Sequence, residues 1–169
     1  IYYNNLSVAF FKIQDYDKAI AIAKKGLEIK PDYHECKIDI LNVYLAKGIL
    51  DSAIIYSDDL VKNKYELSEV SMLYSGWGLK YIQEENASIA ITLWKKAIDI
   101  YPKNYKAYNN LIFYYLHVNY NLDSANYYVK KLQSNGGQYR KIQQRERKSR
   151  QGIAKTIKNY RSVHKEIFG

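Results

Sequence analysis

The side chains able to do acid–base, nucleophilic or metal chemistry are few and scattered. His34, His117 and His164 stand on separate segments, without the close spacing that zinc ligands on one helix or loop need. Cys36 follows His34 by two residues, and on a helix that step turns the two side chains to different faces, so a thiolate–imidazole pair does not form. One cysteine also excludes an internal disulfide framework and cannot build a cysteine zinc site alone. Asp58-Asp59 and Glu84-Glu85 are adjacent carboxylates expected on helix and turn surfaces, where water solvates them. No Gly-rich phosphate loop and no Ser-centred elbow is present. The expectation is a chain with no catalytic, metal or cofactor-binding residues, no cofactor and no enzymatic activity.

The elements that carry these residues repeat along the chain. The small residues of Asp17-Lys18-Ala19-Ile20, Asp51-Ser52-Ala53-Ile54, Ser88-Ile89-Ala90-Ile91 and Asp123-Ser124-Ala125 recur at steps of 34, 37 and 35. Each lies in a run of helical periodicity, as in Ala19, Ala23 and Leu27. A second helical run rich in aromatic residues precedes each one: Tyr3, Leu6 and Phe10; Ile40 and Tyr44; Tyr74, Trp77 and Tyr81; Tyr108, Leu111 and Tyr115. Pro31 and Pro102 follow two of the units, where proline ends one helix and opens the next pair.

This pattern resembles the tetratricopeptide repeat family, a helix-turn-helix unit of about 34 residues. The third unit matches best, with Tyr74, Trp77, Gly78, Tyr81, Ala90, Trp94, Ala97 and Pro102; the first follows with Tyr3, Leu6, Phe10, Ala19, Gly26 and Pro31. The second unit departs from the pattern at Lys37 and Tyr65, and the fourth has an extra turn residue and no closing proline. The resemblance implies an all-α right-handed superhelix of antiparallel helix pairs, an α-solenoid, over residues 1–137, with units near 1–33, 34–67, 71–104 and 105–137. Residues 138–169 are expected to form a helical tail or capping helix. Small residues let paired helices approach, and large ones fill the space between pairs, since one pair cannot bury its apolar face alone. The 19 tyrosines are read as half-buried packing with wet hydroxyl tips. The extra residues between Ala53 and Ala90, near 65–70, are expected to lengthen the link between the second and third units, as a loop insertion or, alternatively, with a changed superhelical angle at that joint.

Arrays of this family bind peptides or helices in a concave groove lined by the first helix of each pair. The resemblance places there Asn4, Val8, Phe11 and Lys12 from the first unit and Glu35, Ile38, Asn42 and Leu45 from the second. The third gives Met72, Ser75, Leu79 and Ile82, and the fourth Lys106, Asn109, Phe113 and His117. The middle of that set is apolar and suits an amphipathic helix or apolar peptide. The subtype that clamps the terminal carboxylate of chaperone tails is not expected, because Asn42 and Lys106 fit its pattern while Val8, Ile38 and Gly76 do not.

The chain carries 26 Lys and Arg against 17 Asp and Glu, a formal charge of +9. The excess is local. Residues 1–137 hold 16 basic and 15 acidic side chains, and residues 138–169 hold 10 and 2. The basic run contains Arg140, Lys141, Arg145, Arg147, Lys148 and Arg150; after Gly152, Ile153, Ile157, Tyr160, His164 and Ile167 form a narrow apolar stripe at helical spacing. That segment reads as a cap on the last unit, as an arm for nucleic acid or an anionic surface, or as a connector. Gly136-Gly137-Gln138 spells the tripeptide of the peptide-chain release factors, but the surrounding family pattern is absent and a helix stop accounts for it.

No targeting signal or membrane-spanning run is read in the chain; its longest apolar stretch is residues 111–116. The expected compartment is the cytoplasm. The expected function is a non-catalytic scaffold for a protein partner, with self-association through unpaired apolar ends as a further expectation. The alternatives are a nucleic-acid-associated adaptor acting through the basic tail and a regulatory module of a larger enzyme.

Overall fold

The computed structural model describes residues 2–136. Eight α-helices run through them: α1 (Tyr2–Lys12), α2 (Tyr16–Ile29), α3 (His34–Lys47), α4 (Leu50–Lys62), α5 (Leu67–Gln83), α6 (Ala87–Ile100), α7 (Tyr105–His117) and α8 (Leu122–Ser134). No strand occurs among the described residues. The basic tail residues Arg140, Lys141, Arg145, Arg147, Lys148 and Arg150, and the apolar stripe after Gly152, lie outside them.

The helices pair as four hairpins, and local signals set each turn. Gln14, Gly48, Glu85 and Tyr120 occupy the left-handed backbone region in the four turns, with φ of 62°, 70°, 61° and 55°. Asp15, Asn86 and Asn121 then cap α2, α6 and α8 by accepting from backbone amides three residues on. Before Pro31 and Pro102, Lys30 and Tyr101 are extended, which stops α2 and α6 there.

The hairpins stack into an all-α solenoid. Helix α1 lies against α3, α3 against α5 and α5 against α7, whereas the even-numbered helices make no comparable contact with one another. The odd-numbered layer is therefore the short inner arc and the even-numbered layer the splayed outer one. The main core runs through the second, third and fourth hairpins around the fully buried Tyr74, Trp94 and Tyr108; a smaller cluster of Ala23, Cys36 and Ile40 joins the first.

One sequence expectation is corrected. The residues added between Ala53 and Ala90 do not lengthen a loop: the connections 30–33, 63–66 and 101–104 are equally long. They form an additional N-terminal turn on α5, which spans 17 residues against 14 for α3 and 13 for α7. In that turn Val70 is fully buried and Leu67 packs against the main core; just after it, Ser71 meets the cap of the next helix pair. Asn104, at the cap of α7, donates to Ser71 Oγ at 2.7 Å and Ser75 Oγ at 2.8 Å, while Ser71 Oγ donates to the Ala97 carbonyl at 2.6 Å.

Candidate functional site

Each inner helix is backed by its outer partner and flanked by its inner neighbours, so one face remains free. On α5, the residues left exposed, Glu69, Met72, Gly76, Leu79, Lys80 and Gln83, lie along one side of the helix, with Met72, Gly76 and Leu79 between the charged Glu69 and Lys80. Met72 is 56% exposed and Leu79 47% exposed. On the adjoining α7, Phe113 is 47% exposed, and its ring lies 4.7 Å from that of His117. Large apolar side chains thus stand exposed on two adjacent helices of the inner layer.

Most of the groove residues expected from the sequence keep accessible surface: Asn4, Val8, Phe11, Glu35, Ile38, Asn42, Ile82, Asn109 and His117 are half-buried, and Lys12 and Lys106 are exposed. Two are corrected. Leu45 is 0% exposed and belongs to the core shared by the second and third hairpins. Ser75 is 4% exposed; its hydroxyl accepts from Asn104 and its carbonyl accepts from Trp94 Nε1 at 3.2 Å. The free face of α5 is centred one residue later, on Gly76.

Groove-side residues of the first three hairpins are tied together. Trp77 Nε1 donates to Asn42 Oδ1 at 2.6 Å, its ring meets Phe11 edge to face at 6.4 Å, and Lys80 Nζ lies 4.5 Å over it. Asn4 Nδ2 donates to Asp39 Oδ2 at 3.0 Å. Burial pushes the Asp39 carboxyl up to about 6, the Asn4 bond opposing the shift and the Glu35 charge adding to it. Asn109 Oδ1 and Asn110 Nδ2, both shielded from water, make no hydrogen bond. Trp77, Gly76 and Asp39 were missed as groove elements. For Asp39 and Gly76 the signal was one-face helical spacing: i, i+3, i+4, i+7 for Glu35, Ile38, Asp39 and Asn42 on α3, and i, i+4, i+7, i+11 for Met72, Gly76, Leu79 and Gln83 on α5.

Elsewhere the candidates for chemistry are spoken for. The Cys36 thiol is fully buried and pushed up to about 11 by that burial, so it is a poor nucleophile. A cleft of about 410 Å³ between Pro31, His34, Lys37, Asp59, Asn63 and Tyr65 holds Lys37 paired to Asp59 and His34 paired to Glu35, with the His34 ring 3.9 Å from Tyr65. Among the described residues no group of His, Cys, Asp and Glu is placed to hold a metal ion, and no helix is long and apolar enough to cross a membrane.

No protein-family model matches the chain, and no curated protein sequence does. Solved structures of MamA are similar to it. The MamA RS-1 ArsTM double mutant superposes with a TM-score of 0.50 at 19% identity, over 79% of this chain and 73% of that one. MamA 41-end from Desulfovibrio magneticus RS-1 gives 0.49 at 19% identity over 79% and 71%, and a further crystal structure of MamA gives 0.36 at 20% identity over 77% and 94%. The likeness at a TM-score of 0.50 shows the fold alone, in agreement with a helical-repeat solenoid.

Proposed function

We propose that the protein is a non-catalytic scaffold whose concave face receives an apolar helical segment of a protein partner. The observation that carries this reading is the pairing of exposed Met72 and Leu79 on α5 with exposed Phe113 on α7, on the one face of each helix that the fold leaves free. Apolar side chains at successive helical turns are the complement of an amphipathic helix laid in a groove. Half-buried Asn42 and Asn109 at its edges supply polar groups that fix an occupant's orientation. The test is affinity capture from the source cells with the full chain and with Leu79→Asp plus Phe113→Asp. At least a tenfold loss of the captured protein is expected in the double variant, with capture retained by Ile55→Asp on the outer helix α4. Undiminished capture by the double variant contradicts the reading.

A second reading rests on the 10 basic and 2 acidic residues of 138–169, a charge that favours polyanions. It predicts binding to nucleic acid that weakens steeply with salt and disappears when Arg140, Lys141, Arg145, Arg147, Lys148 and Arg150 become neutral.

A further inference from the structure

Gly76 is a residue that the fold does not explain. It sits inside α5, where glycine is a poor helix former compared with alanine, and a Cβ placed on it would meet nothing within 4 Å. The other helical glycines each have a reason. A Cβ on Gly26 would come within 2.7 Å of Cys36 Sγ, and one on Gly78 would collide with the Trp94 indole. Gly76 instead leaves a notch in an apolar strip, with Met72 about one turn before it and Leu79 about one turn after, both exposed, and Phe113 on the neighbouring α7. A missing side chain between large apolar ones lets a second helix approach closely and admits a projecting side chain.

The chain itself carries a segment of matching pattern. Ile153, Ile157, Tyr160, His164 and Ile167 follow one another at alternating steps of four and three residues, the spacing of one helix face. The chain leaves the array beside α7, where Tyr105 Oη donates to the Asn135 carbonyl at 3.1 Å. Residues 137–152 then separate α8 from the stripe, a length that reaches about 50 Å when extended, against about 8–10 Å between packed helix axes. A tether of this kind holds its end at an effective concentration of order millimolar, well above that of a second copy in ordinary solution.

The geometry points to residues 153–167 of this same chain as the occupant of the α5–α7 groove, with Ile157 and Tyr160 over the notch at Gly76. This inference rests on the reading that the groove accepts an apolar helix, and it makes that acceptance conditional: a partner binds by displacing the tail.

The experiment is a fluorescence-anisotropy titration of a labelled peptide, residues 152–169, into the full chain and into the full chain carrying Ile157→Asp and Tyr160→Asp. An occupied groove predicts at least tenfold tighter peptide binding by the double variant. Adding Gly76→Leu abolishes that binding; adding Gly76→Ala weakens it several-fold while the melting temperature rises, a pairing that a merely structural glycine would not give. Equal affinities of the unaltered and double-variant chains overturn the inference, as does a double variant that ignores the peptide. Dimerisation that grows with concentration in size-exclusion runs and is lost in the double variant would place the tail on a second copy and overturn intramolecular seating. An unrelated Leu/Lys amphipathic helix separates the two failures. If the double variant binds that helix but not residues 152–169, the groove reading stands and this inference falls; if it binds neither, both fall.

Discussion

On the side of α5 that meets α6 and the α7 cap, side chains pack closely and polar atoms are hydrogen-bonded. Asn104 donates to Ser71 and Ser75, Ser71 donates onward to the Ala97 carbonyl, the Ser75 carbonyl accepts from Trp94, and Gly78 is bare because the Trp94 indole fills its place. On the opposite side of the same helix, Met72 and Leu79 stand exposed and Gly76 is bare with nothing against it. One helix thus carries two glycines two residues apart, one required by packing and one not. The difference teaches that the outer-facing side of α5 is spent on holding hairpins together and Trp77 ties it to its inner neighbours, while the strip of Met72, Gly76 and Leu79 makes no contact that the fold needs.

The comparison breaks first at Trp94. Trp94→Ala empties the centre of the core and is expected to destabilise the chain by about 3–5 kcal/mol in urea unfolding. Gly78→Ala comes next: the added methyl meets the indole and should lower stability by about 1–3 kcal/mol, because a well-packed site has no room to relax. A loss below a few tenths of a kcal/mol in either variant would mean that the inter-helix packing is looser than described.

Asp39 sharpens the comparison on the inner layer. Its pKa of about 6 lies above the ordinary 3.8, so the folded chain holds its proton more tightly than the unfolded one. Its contribution to stability is present below pH 3.8 and is lost as pH rises through 6. Asp39→Asn removes that dependence. The variant should gain on the unaltered chain across that window and be more stable at pH 7, by about 1 kcal/mol once solvent screening of this partly exposed group is counted. Parallel stability–pH curves for the two proteins would show that the carboxyl is not desolvated between α1 and α3.

Much of this architecture was legible in the sequence, and particular residues show why. Ala19, Ala53, Ala90 and Ala125, each in a helical run behind an aromatic one, carried the four hairpins, because close helix approach tolerates only small side chains there. The tyrosine reading holds for packing only in part: Tyr44, Tyr56 and Tyr115 are half-buried as expected, but Tyr74 and Tyr81 are buried with their hydroxyls bonded to Ser57 and the Leu45 carbonyl, and Tyr2, Tyr105, Tyr120 and Tyr127 are exposed. The exposed face of α5 was legible to within about one residue. Carrying a groove register over from the repeat pattern put Ser75 where Gly76 belongs and included Leu45, because the rotation of each inner helix is fixed by long-range partners such as Asn104 and Trp94. The added turn of α5 was not legible because nothing local separates helix from loop there; Leu67 and Val70 of that turn pack on the core through long-range contacts.

The smallest of the expected effects tests the central claim most directly. Gly76→Ala, measured by urea unfolding of the full chain carrying Ile157→Asp and Tyr160→Asp so that no tail is seated over the notch, should raise stability by about 0.5–1 kcal/mol, the ordinary helix gain of alanine over glycine where nothing opposes the methyl. A decrease would contradict the account, since it would show that the inner face of α5 serves the fold after all and is not kept open for an occupant.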